Sequence, residues 1–511
     1  MPELTWSGKE QFTDKENKFF KNIPMRLLDF DSTCGEKNSG NLIVQGDNLE
    51  VLKSLLPFYR GQVKCIYIDP PYNTGAAFEN YNDNFPHSDW LNMMYPRLKL
   101  LKEFLSDDGA IFISIDDNEQ AYLKVICDDI FDRNNFITSF AWQSRQSLQN
   151  DTDLSINHEY IVAYAKKRRQ QNRRLKPSNA EFWHNIKEFA FYPLPIDETK
   201  FSNPDNDPRG AWKADPFDAP NIRPNLTYPI KNPNTGEEFL PPQGRCWRVM
   251  QEKFFELLND NRIIFGKTGK TKPQLKVFLS EQLQLGSVPN SWFSAEKYGT
   301  ATAGTKQLQK IFGDKNIFDT VKPIELLINL FQISTDKDAI ILDAFAGSGT
   351  TAHAVLNLNA EDGGRRKFIL IEEKDYCKTI TAERVRRVGG SFDFYKLGAE
   401  IFDKTGVINP AVKFEQLANL VWFNATKTPY LEQKKSALLG VHDGTAIYLL
   451  YNGILKDKSL RGGNMLTEKI FKSLPQFDGE KIIYAKACRV DEEFLQENKI
   501  TFRPIPKELR K

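Results

Sequence analysis

Val63-Lys64-Cys65-Ile66-Tyr67-Ile68 runs directly into Asp69-Pro70-Pro71-Tyr72 and then Asn73-Thr74-Gly75. The first six residues form a continuous β-rich run. A run that is apolar on both faces suits a central strand of a parallel sheet, covered on both sides. The two prolines fix φ and remove two N–H donors, so the strand breaks there. Upstream, residues 41–47 read as a short strand ending at Gly46-Asp47, and 48–56 carries Leu49, Leu52, Leu55 and Leu56 at helical spacing. Downstream, a helix is predicted over 90–105 and a strand over 110–115, ending at Asp116-Asp117. This βαβαβ alternation predicts an α/β layer with its site at the carboxyl ends of the strands.

The residues at that strand end suggest chemistry. The prolines hold the neighbouring carbonyls rigidly, Asp69 adds a strong acceptor, and Tyr72 adds a flat ring. An exocyclic amino group on a flipped base requires two acceptors for its hydrogens and a ring for the base to stack on. The plain alternative is a proline-terminated strand with Tyr72 as core packing.

A second segment has its own signal: Ile340-Ile341-Leu342-Asp343-Ala344-Phe345-Ala346-Gly347-Ser348-Gly349-Thr350-Thr351-Ala352. A strand feeding a Gly-x-Gly turn into a helix N-terminus lets a ligand approach the backbone closely. The segment also fits the dinucleotide fingerprint, and Glu372 follows at a spacing suited to a ribose. Taken alone, it leaves a NAD-binding domain open.

Asp-Pro-Pro-Tyr together with Phe-Ala-Gly-Ser-Gly-Thr-Thr resembles the amino-methyltransferases that use S-adenosylmethionine (SAM). The catalytic element precedes the cofactor element here, with a long module between them. That order is similar to the β class of DNA adenine-N6 methyltransferases. Gln45-Gly46-Asp47-Asn48-Leu49-Glu50, Ile111 to Asn118 (IFISIDDN), Asn157-His158-Glu159-Tyr160, Lys322-Pro323 and residues 358–364 resemble the modification (Mod) subunits of type III restriction–modification systems.

The resemblance implies that Asp69, Pro70, Pro71 and Tyr72 are catalytic. It implies that Asp343, Phe345, Gly347, Gly349 and Thr350 hold SAM, that Glu372 takes its ribose, and that Asp47 with Asn48 meets its adenine. Either Glu372 or Glu373 could serve the ribose, and Glu372 is the better placed. Adenine leaves the stack, its N6 amino group is oriented by Asp69 and the Pro70 carbonyl, and transfer is a direct displacement. Asp at position 69 favours adenine N6 by the family pattern. The alternatives are cytosine N4, RNA methylation, or a non-catalytic DNA-recognition subunit. The intact state of both elements speaks against a decayed relic. The implied partners are double-stranded DNA, a second copy of the chain in a homodimer, and a restriction (helicase and nuclease) subunit on another polypeptide.

Lys plus Arg total 69 and Asp plus Glu 67 among 511 residues, a net charge of +2. No global field marks a nucleic-acid binder, so any phosphate-binding cations must be local. The densest group is Lys166, Lys167, Arg168 and Arg169 with Arg173, Arg174 and Lys176. It is either a solvated face or a DNA-backbone contact that positions without reading sequence. Six scattered cysteines and five dispersed histidines offer neither a disulfide scaffold nor metal-ligand spacing, so no metal is expected. A polar N-terminus and the lack of a long apolar run predict a cytoplasmic protein with no membrane span.

Gly266-Lys267-Thr268-Gly269-Lys270-Thr271 imitates half a P-loop, but Ile264 stands where a Walker glycine is needed. His158 and His353 read as structural, and Trp183, Trp212, Trp247 and Trp292 as core of the middle module. The expected architecture is a Rossmann-like α/β sheet of the class I SAM-dependent methyltransferases with circularly permuted motif order. It divides into an N-terminal segment (1–40), a catalytic half (41–170), a target-recognition module (171–300), a SAM-binding half (301–400) and a small α/β C-terminal domain (401–511).

Overall fold

The computed structural model describes residues 4–13, 18–75, 83–150, 152–169, 187–266, 268–403, 407–428, 430, 435–451 and 464–510. Its main element is a ten-stranded sheet. In chain order the strands are β1 (Arg26–Cys34), β2 (Leu42–Gln45), β3 (Val63–Ile68), β4 (Leu105–Ile115), β5 (Phe136–Trp142), β6 (Glu159–Ala165), β7 (Trp292–Phe293), β8 (Ile340–Asp343), β9 (Lys367–Glu372) and β10 (Phe392–Glu400). Their order in space is β1-β10-β2-β9-β8-β3-β4-β6-β5-β7. The six from β10 to β4 are mutually parallel.

β3 lies at the centre with every residue buried, as its two-sided apolar run requires. Its neighbour on one side is β8, with Ile340 opposite Val63 and Leu342 opposite Ile66. Strands about 275 residues apart in the chain therefore end side by side. On one side of this pair the sheet runs to β9, and on the other to β4, so strand order reverses between β8 and β3. A crevice at such a switch point is where open α/β sheets bind ligands.

The helices flanking the site are α1 (Asn48–Tyr59), α2 (His87–Phe104), α3 (Ile324–Ser334) and α4 (Thr350–Asp362). Leu52 and Leu55 of α1, Leu98 and Leu101 of α2, and Val63, Ile66 and Ile68 of β3 share one apolar core.

Chain contacts divide the protein into two compact units. Tyr192–Pro289 belongs to the smaller unit. It consists of short strands in two- and three-stranded sheets around Phe217, Trp247 and Phe254. The larger unit holds the ten-stranded sheet and the tail from Asn290 to Lys511. The tail has a four-stranded sheet of Leu438–His442, Thr445–Leu449, Glu480–Ala485 and Ile500–Pro504. Leu27 of β1 shares an apolar cluster with Leu417, Val421 and Leu449 of the tail.

Two expectations need correction. The segment 1–40 contains β1, an edge strand of the main sheet, antiparallel to β10. Its middle residues Asp29, Phe30, Asp31 and Ser32 are exposed, so it lacks the apolar alternation by which a strand is read. Trp292 is 52% exposed and sits on β7, outside the smaller unit, so it is not part of that module's core. Trp212 and Trp247 are buried, with their indole N–H groups on Asp205 and the Tyr228 carbonyl. Trp183 lies outside the described residues.

Candidate active site

The carboxyl ends of β3 and β8 open into a cavity of about 440 Å³. Asp69, Pro70, Pro71 and Tyr72 line it from the β3 side. From the other side it is lined by Asp343, Phe345, Gly347, Thr350 and Glu372, and Asn48 joins from α1. Gly349 and Asp47 do not line it. Strand adjacency is what brings the two sequence signals together.

The loop after β3 is tied down from several directions. The Trp90 indole N–H donates to the Pro71 carbonyl at 2.7 Å. Buried Asp83 accepts from the Asn73 and Thr74 backbone N–H groups at 2.8 and 3.1 Å. Asn73, in the left-handed region with φ 64°, reaches Glu119 Oε1 at 2.9 Å through its amide. The Pro71 carbonyl is thus occupied, whereas among the described residues no donor reaches the Pro70 carbonyl.

Lys322 completes the wall on the Asp69 side. Its Nζ donates to Asp69 Oδ1 and Oδ2 at 2.8 and 2.9 Å and lies 3.7 Å from Glu159 Oε2. The ammonium also stands 5.0 Å from the Tyr72 ring centroid. Tyr72 donates its hydroxyl to Glu159 Oε2 at 2.9 Å, and burial, then the Asp69 and Glu159 charges, push its pKa well up. Asp69, Lys322, Glu159 and Tyr72 thus form one connected network that includes residues from two of the shorter stretches of the Mod resemblance.

The turn after β8 has Gly347 at φ 49° and Gly349 at φ 80°. A Cβ on Gly349 would stand 3.0 Å from the Thr381 carbonyl, so a side chain there would push the turn away from its support. Asp343 accepts from the Phe345 N–H at 3.0 Å and the Thr351 hydroxyl at 2.5 Å. Burial outweighs these bonds and pushes its carboxyl up to about 7. Glu372 accepts from the Gly347 N–H at 2.9 Å and the Lys374 N–H at 3.1 Å, and burial raises its pKa. Glu373, the other ribose candidate, lines the same cavity and is more exposed.

Asp47 caps α1, accepting from Leu49 and Glu50 N–H at 3.0 and 3.1 Å, and pairs with Arg97 Nη2 at 3.1 Å. Asn48 donates to the Ala344 carbonyl at 2.7 Å and accepts from Arg97 Nε at 2.5 Å. Arg97 therefore binds the Gly-Asp-Asn element to the cavity wall, a role sequence reading missed. It sits mid-helix with no motif around it, and only α1 packing beside α2 brings it there.

The basic cluster is engaged with its own fold. Lys166 Nζ donates to the Lys102 carbonyl at 2.6 Å, and Lys167 pairs with Asp107 at 2.6 Å. Arg168 donates to the Phe136 carbonyl, and Arg169 is buried. Arg173 and Arg174 lie outside the described residues. His158 meets the Tyr160 hydroxyl at 3.0 Å, away from the cavity wall. Among the described residues no group of three His, Cys, Asp or Glu could hold a metal ion, and no helix is long and apolar enough to cross a membrane.

A permuted α/β sheet with an acceptor-and-ring loop beside a Gly-x-Gly turn defines the class of amino-methyltransferases. Residues 63–383 match the family model for N6 and N4 methyltransferases, described as DNA methylase. The chain is 37% identical over 400 residues to the Mod subunit of the type III restriction-modification enzyme StyLTI of Salmonella typhimurium LT2, covering 72% of this chain and 58% of that protein. It is 30% identical over 586 residues to the EcoPI Mod subunit of Escherichia phage P1, covering 98% of this chain and 86% of that one. The chain therefore belongs to the DNA methylase family and, within it, to the group of type III Mod subunits. Among solved structures, the M1.HpyAVI–SAM complex is 16% identical, with 67% of this chain and 99% of that one covered and a TM-score of 0.30.

Proposed function

We propose that this chain methylates the N6 amino group of adenine in double-stranded DNA, with SAM as methyl donor, as the modification subunit of a type III-like restriction–modification system. The supporting observation is that Asp69, Pro70 and Tyr72 line the same cavity as the Gly347 turn. Both sets of groups can then meet at one reacting centre.

SAM supplies an electrophilic methyl group on a sulfonium. The protein's part is positioning, which alone can account for several kcal/mol of a barrier. Asp69 and the Pro70 carbonyl accept the two amino hydrogens, and the Tyr72 ring stacks on the flipped base. The nitrogen lone pair then faces the methyl. As the N–C bond forms and the C–S bond breaks, one N6 proton must leave, and Asp69 is the acceptor already aligned with it. The incoming amino group must share or displace the Lys322 ammonium, which holds both Asp69 oxygens when no base is present.

Target reading is assigned to the smaller unit, where Arg, Asn and Gln are plentiful. Action in the cytoplasm, a homodimer and a separate restriction subunit belong to the same proposal, the last supported by the relatives' names as Mod subunits of restriction-modification enzymes. The deciding experiment is transfer of labelled methyl from SAM to genomic DNA, followed by nucleoside analysis. The expected product is N6-methyladenine; N4-methylcytosine, or no label, overturns the reading. Asp69→Ala should abolish transfer while leaving SAM binding nearly intact.

A further inference from the structure

A cation stands behind the Gly-x-Gly turn with no anion to match it among the described residues. Arg384 is fully buried. Its Nη1 donates to Thr350 Oγ at 2.8 Å, to Ser348 Oγ at 3.0 Å and to the Ser348 carbonyl at 3.4 Å. Its Nε and Nη2 are buried without a hydrogen-bond partner. The neighbouring Glu383 is committed to Arg386 and Arg387, and among the described residues no carboxylate pairs with Arg384. Burial draws its pKa down to about 9. His353, pushed to about 4 by burial and then by Arg384, supplies no counter-charge either.

The same spot is the start of α4, thirteen residues long and without a side-chain cap at its first turn. Its free N–H groups and dipole add positive potential to that of the guanidinium. A buried cation left unpaired costs several kcal/mol, and an anion bound in the adjoining cavity would offset part of that cost. Ser348 and Thr350 connect the two, since both line the cavity. Arg384 donates to both hydroxyl oxygens, which also lie 3.5 Å from each other, so even with one hydroxyl donating to the other a hydroxyl hydrogen remains to point at an acceptor.

We propose that Arg384 is the buried counter-charge for the carboxylate of the cofactor's amino-acid arm, acting through Ser348 and Thr350 as a positioning residue. The inference rests on the SAM reading and deepens it. It assigns the selectivity of this end of the cavity to a residue that no ligand atom need touch.

The test is titration of the full chain with three ligands: SAM, S-adenosylhomocysteine, and decarboxylated SAM, which lacks only the carboxylate. For Arg384→Met, the Kd of the two carboxylate ligands should rise about 10- to 100-fold, the usual range for losing a charged hydrogen-bond partner. The Kd of decarboxylated SAM should move less than about twofold on the same argument. Arg384→Lys, which restores the charge, should recover part of the loss for the carboxylate ligands alone. Equal loss for all three ligands, or no loss for any, overturns the proposal. If Arg384→Met does not fold, Thr350→Val removes one of the two connecting hydroxyls and is judged by the same outcomes. A wild-type chain that binds none of the three ligands would refute the cofactor reading itself, a result distinct from failure of the Arg384 assignment.

Discussion

Binding of SAM should release a proton from Asp343, and its affinity should therefore rise with pH. The Asp343 carboxyl closes β8 inside the cavity wall, and burial holds it up to about 7 in the ligand-free protein. SAM carries a sulfonium and an ammonium against one carboxylate, a net positive charge. A cation entering the cavity favours the ionised carboxyl, so the group's pKa is lower with ligand than without. By linkage, affinity is weakened where the free protein is protonated, climbs as pH rises through about 7, and levels off above it.

If only the ionised form accepts the ligand, the apparent Kd is the intrinsic value multiplied by 1 + 10^(pKa − pH), about 11 near pH 6 and about 1.1 near pH 8. The expected change is about tenfold, or about 1.4 kcal/mol. Titration calorimetry in buffers of different ionisation enthalpy reads both the affinity and the proton released. Asp343→Asn keeps an acceptor for the Phe345 N–H and cannot titrate, so its affinity should be flat across the range. A wild-type change under about twofold, or an Asn variant with the wild-type slope, would refute the reasoning.

The Asp69–Tyr72 side of the cavity carries two more expectations. Tyr72→Ala should lower methyl transfer by about 10- to 100-fold, since base–aromatic stacking contributes about 1–3 kcal/mol, whereas Tyr72→Phe loses only the bond to Glu159 and should cost less than about tenfold. Steady-state transfer of labelled methyl to DNA distinguishes them, and a Phe variant as damaged as Ala would show that the hydroxyl matters and not the ring. Lys322→Met keeps an unbranched side chain beside Tyr72 and Trp142 but removes the charge between Asp69 and Glu159, and should slow transfer by about a hundredfold with SAM affinity changed less than about threefold. An equal loss of SAM affinity would assign Lys322 to the cofactor side.

Much of the site could be read from local pattern because its two elements are strand ends. The apolar run 63–68 matched β3 to the residue, and the run that begins at Ile340 became β8. Proline and glycine mark such ends in sequence because they restrict or free the backbone there, whatever the rest of the chain does. β1 and β10 were not legible, the first because its edge position leaves its middle exposed. Arg97, Asp83 and Arg384 were not legible either. Each acts by reaching a distant partner, and a single Arg or Asp on a helix or loop has no spacing to read.

By itself the sequence determined the fold class, the strand that carries Asp69 and the turn that carries Gly347 and Gly349, since these depend on backbone propensity over a few residues. Only the tertiary structure decided that β8 lies next to β3, which puts both elements on one cavity. It also decided the electrostatics: Lys322 on Asp69, the burial that lifts Asp343, and the unpaired cation of Arg384 behind the turn. Charge interactions depend on distance and burial, and both arise only when the chain is packed.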